Sequence, residues 1–402
     1  MLAAKTAIRL IAGFASLGLV GAGSAQAGPQ PGDRVPGVYN CFFVDGPLTP
    51  SFEARSAASQ ANGRVMWIYP SFRAFSMRAP AAAVDRMLQK NPMIDHCSQA
   101  VIVSLPPEMA SASSTVQKGP PSGGGGGGGG GGKTDTIPWG VAYVKGGIGY
   151  NGGKAWVVDT GVSASTGDLS LDAANSAVFL SVPNSIDGTS TQDYNGHGTH
   201  VAGTIAALKN GKAVVGVAPG AVVVPVKVLA YTGLGLDSDV AMGLQHVLGR
   251  AKKGDVANLS ISGDVDSDLM DAAVVAFADR FVTAAGGPSL VIAAGNSTRD
   301  INDPDVRYSP PADIDGPGIY TVSAIDASGS WASFSNYGAS VDYAEPGVDI
   351  VSLNTSGRTA KKSGTSMAAP HLVGILLSSG TPIVKGTTVD PANAAVDIGS
   401  NP

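Results

Sequence analysis

The chain has 402 residues, of which 44% are hydrophobic and 14% are charged, and its net charge at neutral pH is −5. A chain of this length can form two or more domains with a large core. The charge is too small to favour nucleic acid or an anionic membrane as a partner. The sequence also has no Walker-type phosphate loop and no zinc-ligand spacing of cysteine and histidine.

Residues 1–27 have the pattern of a secretory signal peptide. Lys5 and Arg9 precede an apolar stretch at 10–20, and residues 25–27 form an A-x-A cleavage site. The apolar stretch is too short to span a membrane, and no later segment is long and apolar enough to anchor the chain. We therefore expect a secreted protein, extracellular or periplasmic, without a membrane partner. We also expect the protein to be a monomer.

Residues 35–105 predict a small α+β domain with the element order βαββαβ and a ferredoxin-like sheet. The predicted strands are 38–44, 64–72, 74–77 and 99–105, and the predicted helices are 51–62 and 80–88. Cys41 and Cys97 lie near the first and last strands, which are neighbours in such a sheet. Two cysteines in an exported chain favour a disulfide, although the sequence leaves open whether they are bridged.

A linker is predicted at 106–133. It contains Pro120, Pro121 and Ser122, followed by a run of ten glycines at 123–132. Polyglycine cannot bury apolar surface and behaves as a flexible coil. Such a segment is accessible to proteolysis, so we expect the small domain to be removed by a cut between Leu105 and Lys133, at a bond that the sequence does not specify.

Strands and helices alternate in residues 134–402, which predicts an α/β domain with a parallel sheet and helices on both faces. The predicted strands are 155–159, 222–229, 256–261, 290–294 and 320–325. The predicted helices are 197–208, 238–252, 266–284 and 365–377. Asp159 and Asn296 fall at the carboxyl ends of strands, where open α/β sheets bind their ligands.

Three residues of this region have the surroundings that nucleophilic catalysis requires. Asp159 ends a buried strand, His197 lies at a glycine-flanked turn before a helix, and Ser366 opens a helix among small residues. A serine hydroxyl becomes a good nucleophile when an imidazole removes its proton, and a carboxylate must hold that imidazole in the right tautomer. Each residue alone also fits a structural role as a cap or turn former.

The segments around these residues resemble the subtilisin-type (subtilase) serine peptidases, including proteinase K-like members. The resemblance runs from about 137 to 380, and its four blocks are 155–162, 193–204, 290–297 and 363–371. The order Asp, His, Ser along the chain is that of subtilisins. The resemblance implies a subtilisin-like fold and a serine endopeptidase for protein or peptide substrates. Its triad would be Asp159, His197 and Ser366, with an acyl-enzyme intermediate and no cofactor for catalysis.

The resemblance also implies which residues contact the reacting peptide. The side-chain amide of Asn296 would donate to the oxyanion, together with the backbone N–H of Ser366. An extended substrate would pair with the backbone of one segment and fill a pocket beside it. The residues implied are Ser260, Ile261, Ser262, Ala293, Ala294 and Gly295. Ser262 stands where many members have glycine, which leaves the width of the pocket mouth open.

A structural calcium site is a further implication. Side-chain oxygens of Asp168 and Asn210 match the family's calcium loop, and Asp135 stands where an N-terminal ligand is expected. Backbone carbonyls would complete the shell, and they belong to Leu208, Lys212 and Val214. Hard oxygen ligands suit Ca²⁺. Two lysines in the loop keep a plain surface turn open as the alternative.

The small domain at 35–105 resembles the subtilisin propeptide, which assists folding and inhibits its own enzyme. The resemblance implies a zymogen that processes itself, with its own propeptide as a partner; an unrelated binding domain is the alternative. For the whole chain, the alternative is a catalytically silent binding or inhibitor protein on the same scaffold. Glu345 replaces a residue that is usually small in the family, and the sequence offers no physical reason for it.

Overall fold

A computed structural model describes residues 29–46, 49–107, 135–181, 186–261, 266–283, 286–303 and 311–402. The predicted signal peptide at 1–27 lies outside the described residues, as do Ser262 and the linker from residue 108 onward. No helix among the described residues is long and apolar enough to cross a membrane.

The N-terminal part forms a four-stranded antiparallel sheet with two helices, in the predicted element order. Its elements are β1 (Arg34–Phe43), α1 (Pro50–Gln60), β2 (Arg64–Tyr69), β3 (Ala74–Arg78), α2 (Ala81–Lys90) and β4 (Ile94–Ser104). The strand order is β2-β3-β1-β4, so the first and last strands are neighbours. Cys41 and Cys97 are register partners on these two strands and form a disulfide. Pro50 occupies the first position of α1, where its fixed φ angle favours helix initiation, and Pro80 is the N-cap residue of α2.

The second part is built around a larger, mainly parallel sheet. Its first elements are α3 (Trp139–Tyr143), β5 (Lys154–Asp159), β6 (Ser170–Leu171), β7 (Ala177–Val178), α4 (His197–Ala206), β8 (Val222–Lys227), β9 (Leu234–Leu236), α5 (Asp237–Leu248), β10 (Val256–Leu259) and α6 (Asp268–Thr283). The later elements are β11 (Ser289–Ala293), β12 (Ile319–Ile325), β13 (Val341–Pro346), β14 (Ile350–Leu353), β15 (Thr359–Lys362), α7 (Thr365–Ser379), β16 (Ile383–Val389) and β17 (Ala395–Ser400).

The large sheet has the order β16-β17-β13-β12-β11-β10-β5-β8-β6, and the strands from β17 to β6 pair in parallel. Its central strands are almost wholly buried, as their continuous apolar sequences predict for a sheet covered on both faces. One face packs on α4 and α7, and α5 and α6 pack on the other. The predicted α/β fold class, with a parallel sheet and helices on both faces, is therefore confirmed.

The predicted elements are observed with shifted ends. The strand predicted at 222–229 ends at Lys227, because the N–H groups of Val228 and Leu229 turn toward the carbonyl of Asp159. The helix predicted at 365–377 continues to Ser379 and ends at Gly380, whose φ of 79° lies in the left-handed region. A contact between distant residues therefore sets the end of β8, whereas a local glycine cap sets the end of α7.

The structure explains Glu345 by its contact with the hairpin of β16 and β17. The carboxylate is fully buried, and the backbone N–H of Gly399 on β17 donates to its Oε1 atom at 3.0 Å. A Cβ atom at position 399 would lie 2.4 Å from that oxygen, so the contact requires glycine. Burial raises the pKa of Glu345 well above its ordinary value, because it disfavours the charged form.

The two parts of the chain meet along one continuous interface. Strand β4 of the small sheet pairs antiparallel with β9 of the second part, with Ile102 opposite Leu236 and Ser104 opposite Leu234. Behind this pairing, β2 and β4 pack on α5. The face of the small sheet away from its own helices is therefore covered by the second part.

Candidate active site

Asp159 and His197 meet at the carboxyl edge of the large sheet. Asp159 is the last residue of β5, and His197 is the first residue of α4. The Nδ1 atom of His197 lies 2.9 Å from each carboxylate oxygen of Asp159, and both side chains are buried. Since a carboxylate only accepts, this contact puts the imidazole proton on Nδ1 and leaves Nε2 as a base.

Gly198 makes the close approach of α4 to β5 possible. A Cβ atom at this position would lie 2.2 Å from the carbonyl oxygen of Gly161 and 3.1 Å from Oδ1 of Asp159. Any larger side chain would therefore push the start of α4, and with it His197, away from the carboxylate. The glycine next to the histidine in the sequence has this steric cause.

Asp193 holds the turn that carries His197, a role that sequence reasoning missed. Its Oδ1 accepts from the Oγ1 of Thr160 at 3.0 Å and from the backbone N–H groups of Asn195 and Gly196. Its Oδ2 accepts from the N–H and the hydroxyl of Thr199 in the first turn of α4. Asp193 thus ties the loops after β5 and before α4 together. The signal for it was an aspartate a few residues before a predicted helix start.

Ser366 lies in the first turn of α7, which packs against α4. Its side chain is buried, and its Oγ atom has no hydrogen-bond partner among the described residues. Gly364 precedes the helix with a φ of 153°. A Cβ atom there would lie 2.9 Å from the Nδ2 atom of Asn296, so this glycine allows Asn296 to approach the start of the helix.

The side chain of Asn296 is oriented by the residue next to Ser366. Its Oδ1 accepts two hydrogen bonds from Thr365, one from the backbone N–H and one from the hydroxyl, both at 2.9 Å. The donor Nδ2 therefore points the other way, and it donates to the carbonyl oxygen of Pro107 at 2.9 Å. The predicted oxyanion donor, Asn296, thus lies beside Ser366, and its Nδ2 atom is already hydrogen-bonded to the carbonyl oxygen of Pro107.

The other predicted substrate-binding residues lie at the ends of two neighbouring strands. Ser260 and Ile261 follow β10. Ala293 is the last residue of β11, and Ala294 and Gly295 follow it; all five residues are buried. The N–H of Gly295 donates to Oγ1 of Thr365 at 3.0 Å, which links this segment to α7.

The residues predicted to hold calcium form part of a polar loop. Asp168 is buried, its Oδ1 accepts from Nδ2 of Asn210 at 2.7 Å, and its Oδ2 has no partner among the described residues. Burial, followed by the charge of Asp135, raises the pKa of Asp168 despite the hydrogen bond from Asn210. Asp135 also has a buried oxygen without a described partner.

Other groups in the calcium loop make different contacts. The N–H of Leu208 donates to the backbone carbonyl of Asp168, and Nζ of Lys212 donates to that of Gly167 at 2.7 Å. Val214 pairs with the backbone of Thr136, next to Asp135. Within the described residues, no three His, Cys, Asp or Glu side chains converge as a metal cluster. Two acidic oxygens without partners nevertheless fit a hard cation.

Two other histidines of the four blocks, His200 and His371, form hydrogen bonds with backbone carbonyls. Burial lowers the pKa of His200 to about 3 and that of His371 to about 4. His200 donates through Nε2 to the carbonyl of Ile350 at 3.1 Å, and His371 through Nδ1 to that of Met367 at 2.9 Å. Both are structural residues in the packing of α4 and α7.

The model of the subtilase family of peptidases matches residues 153–379. A thermostable alkaline protease from Halalkalibacterium halodurans is 39% identical over 248 residues, which are 60% of this chain and 62% of that protein. Subtilisin Savinase from Lederbergia lenta is 38% identical over 245 residues, or 60% of this chain and 82% of that protein. Subtilisin-like protease 7 from Arthroderma gypseum is 37% identical over 290 residues, covering 67% of this chain and 65% of that protein.

The crystal structure of a cold adapted subtilisin-like serine proteinase matches with 31% identity and a TM-score of 0.46, covering 60% of this chain and 83% of that one. Of the relatives above, the alkaline protease and the subtilisin-like protease 7 are matched over less than two thirds of their own length.

Proposed function

Since this chain belongs to the subtilase family, we propose that it is a secreted serine endopeptidase made as a self-processing zymogen. The observation that carries this proposal is the buried contact of His197 with both oxygens of Asp159. The helix α4, which begins at His197, packs on α7, and the first turn of α7 contains Ser366. The signal-like residues 1–27 support export.

The proposed reaction starts with a proton transfer from Ser366. Nε2 of His197 takes the hydroxyl proton as Oγ attacks the carbonyl carbon of the substrate, and Asp159 stabilises the imidazolium that forms. His197 then gives this proton to the leaving amine as the C–N bond breaks. Water, activated by the same imidazole, hydrolyses the acyl-enzyme and restores Ser366.

The negative charge that develops on the carbonyl oxygen needs a donor that is already in place. Nδ2 of Asn296 has this property, because the two hydrogen bonds from Thr365 to Oδ1 fix the direction of the amide. A preorganised donor stabilises the transition state without reorganisation during the reaction. The segments after β10 and β11, including Ser260 and Gly295, are the proposed walls of the substrate site.

The small sheet at Arg34–Ser104 is proposed to act as the propeptide. Its strand β4 adds to β9, and the residues after β4 run to the proposed oxyanion donor. Adding a strand to an exposed edge is a common mode of peptide recognition. A segment bound in this way would exclude other substrates from the site until it is removed.

A structural calcium ion is proposed at Asp168, Asn210 and Asp135, with carbonyls from Leu208, Lys212 and Val214. The buried oxygens of Asp168 and Asp135 without described partners support it. The ion would supply positive charge to two buried carboxylates and would take no part in catalysis. EGTA should lower the melting temperature of the wild type and not that of Asp168→Asn. If EGTA does not change the melting temperature of the wild type, the loop is a surface turn that binds no calcium.

Labelling with a sulfonyl fluoride tests the enzyme against the catalytically silent alternative. We expect covalent modification of the matured protein at Ser366, and none in Ser366→Ala or in wild type unfolded before labelling. A matured, folded protein that is not modified at Ser366 would favour a binding or inhibitor function. A peptide library would then define the substrate preference of an active protein.

A further inference from the structure

The segment that leaves the small sheet runs directly into the proposed active site. Its β4 strand pairs with β9, and the pairing continues beyond the strand, where the N–H of Leu105 donates to the carbonyl of Gly233 at 3.0 Å. These contacts fix the position of the chain along the edge of β9. The residues that follow are therefore presented to the site in one register.

Two prolines follow this last strand contact. Pro106 and Pro107 have no backbone N–H, so these two residues offer only their backbone carbonyl oxygens for hydrogen bonds. Pro106 is buried and Pro107 is exposed. The carbonyl oxygen of Pro107 accepts the hydrogen bond from Nδ2 of Asn296 at 2.9 Å. This is the donor assigned above to the oxyanion of the reaction.

The geometry points to the peptide bond on the carboxyl side of Pro107, between Pro107 and Glu108, as the bond that the protein cuts when it matures. The inference rests on the proposed function, because it assigns the substrate bond of that same site. The carbonyl that accepts the hydrogen bond from Asn296 belongs to Pro107, so Pro107 provides the acyl group. The bond that breaks is then the one that joins this carbonyl carbon to the nitrogen of the next residue.

The step balances as follows. Oγ of Ser366 bonds to the carbonyl carbon of Pro107 and its proton passes to Nε2 of His197. The bond to the nitrogen of Glu108 breaks, and that nitrogen takes the proton from His197 as a free amine. Water then hydrolyses the ester, which releases Pro107 with a carboxylate and regenerates Ser366.

Two other bonds compete with this assignment. The bond between Pro106 and Pro107 has its carbonyl on Pro106, which is not the oxygen that Asn296 contacts. A cut in the glycine run at 123–132 would follow from flexibility alone. The three alternatives release small-domain fragments of different mass.

The experiment uses the full chain, expressed in a host without secreted proteases of its own. The released fragment and the mature protein are followed over time by intact mass and by N-terminal sequencing. We expect the earliest fragment to end at Pro107 and the mature chain to begin at Glu108. A first fragment that ends at Pro106, or anywhere within 108–133, would overturn the assignment.

A variant with a shorter linker tests whether the cleaved bond is selected by the contacts with β9 and Asn296 or by the accessibility of the chain. Deleting residues 123–127 halves the glycine run without touching β4 or the site. If the contacts with β9 and Asn296 select the bond, the fragment still ends at Pro107. If the fragment acquires a different end when the linker is shortened, accessibility selects the bond and the assignment fails.

The Ser366→Ala variant distinguishes a failure of the proposed function from a failure of the bond assignment. We expect this variant to remain a full precursor with complete loss of cleavage. If it is cut like the wild type and the wild type is not labelled by a sulfonyl fluoride, the proposed function itself fails. If the wild type is labelled and matures with a different N-terminus from the start, only the bond assignment fails.

Discussion

The two sheets of this protein obtain their cores in different ways. The large sheet is covered on both faces by helices of its own region, α4 and α7 on one side and α5 and α6 on the other. The small sheet has its own core only on the side of α1 and α2. Residues of its other face, such as Tyr69 and Val101, belong to a cluster shared with α5 and α6.

The shared interface also contains buried polar groups at the start of α5. Nε1 of Trp67 donates to Oδ1 of Asp239 at 2.9 Å, and Nδ2 of Asn40 donates to Oδ2 of Asp237 at 2.9 Å. The hydroxyl of Tyr69 donates to the carbonyl of Ser238 at 2.8 Å. Burial raises the pKa of Asp237 and of Asp239 to about 6. The large sheet is therefore covered on both faces by helices of its own region, whereas one face of the small sheet is covered only by the second part of the chain.

The largest expected effect separates chemistry from docking. Replacing Ser366 by alanine should reduce kcat by about 10⁶-fold, because the nucleophile is lost and only binding and oxyanion stabilisation remain. The precursor should still fold with the small sheet docked, since none of its interface contacts involves this hydroxyl. Activity assays and limited proteolysis of the purified variant measure the two properties. A precursor with an undocked small domain would show that the comparison is wrong.

Asn296→Ala should have the next largest effect. Loss of one oxyanion donor lowers kcat by about 10²–10³-fold, and maturation should slow without stopping. Ser297→Ala is a matched control in the same loop, because only its backbone N–H makes a described contact. Equal rates for Asn296→Ala and the wild type would remove Asn296 from the oxyanion site.

The disulfide should stabilise the small sheet and not the large one. Replacing both Cys41 and Cys97 by alanine should destabilise the small domain by about 2–4 kcal/mol. In the Ser366→Ala precursor, the thermal transition of the small domain should fall and that of the large domain should stay. If the pair of substitutions lowers both transitions equally, the two regions unfold as one unit.

Docking of the released fragment should weaken as the pH rises. The pKa values of Asp237 and Asp239 are raised in the docked state, so docking takes up protons. This contribution is complete below the ordinary carboxyl range and is lost as the pH rises through about 6. We expect the inhibition constant of the fragment to increase roughly 10- to 100-fold between about pH 4.5 and pH 7.5. The constants come from initial rates against a peptide substrate.

Asp239→Asn is the control for this pH dependence. An amide keeps an acceptor for Trp67 but does not titrate, so the profile should become flatter in this variant. If the fragment binds the wild type more tightly at higher pH, the carboxylates do not control docking and the prediction is wrong.

The smallest expected effect lies in the large sheet, at Glu345. Because its pKa in the folded state is raised by burial, its contribution to stability is complete below the ordinary carboxyl range and is lost as the pH rises through that raised value. Glu345→Gln should match the wild type at about pH 4, near the ordinary carboxyl range, and should melt about 2–4 °C higher at alkaline pH. Differential scanning calorimetry at both pH values measures this, and a parallel decline of both proteins would exclude Glu345 as the cause.

Much of the fold could be predicted because its signals are local. Continuous apolar runs such as that of β5 indicate strands buried on both faces, and the apolar spacing of α2 indicates a helix packed on one side. The order of these elements was sufficient to predict the α/β class. The residue types at Asp159, His197 and Ser366 indicated the proposed chemistry, because few other roles require all three in their local surroundings.

The sequence by itself determined the elements, their order and the candidate triad, since these depend on neighbouring residues. Only the tertiary structure decided which distant groups meet: Asn296 with Pro107, Glu345 with Gly399, and Trp67 with Asp239. Such contacts join residues separated by dozens to nearly two hundred positions, and they depend on strand register and helix packing. A shift of one residue in β4 would move every side chain to the other face, so no local pattern in the sequence could specify the carbonyl that lies on Asn296.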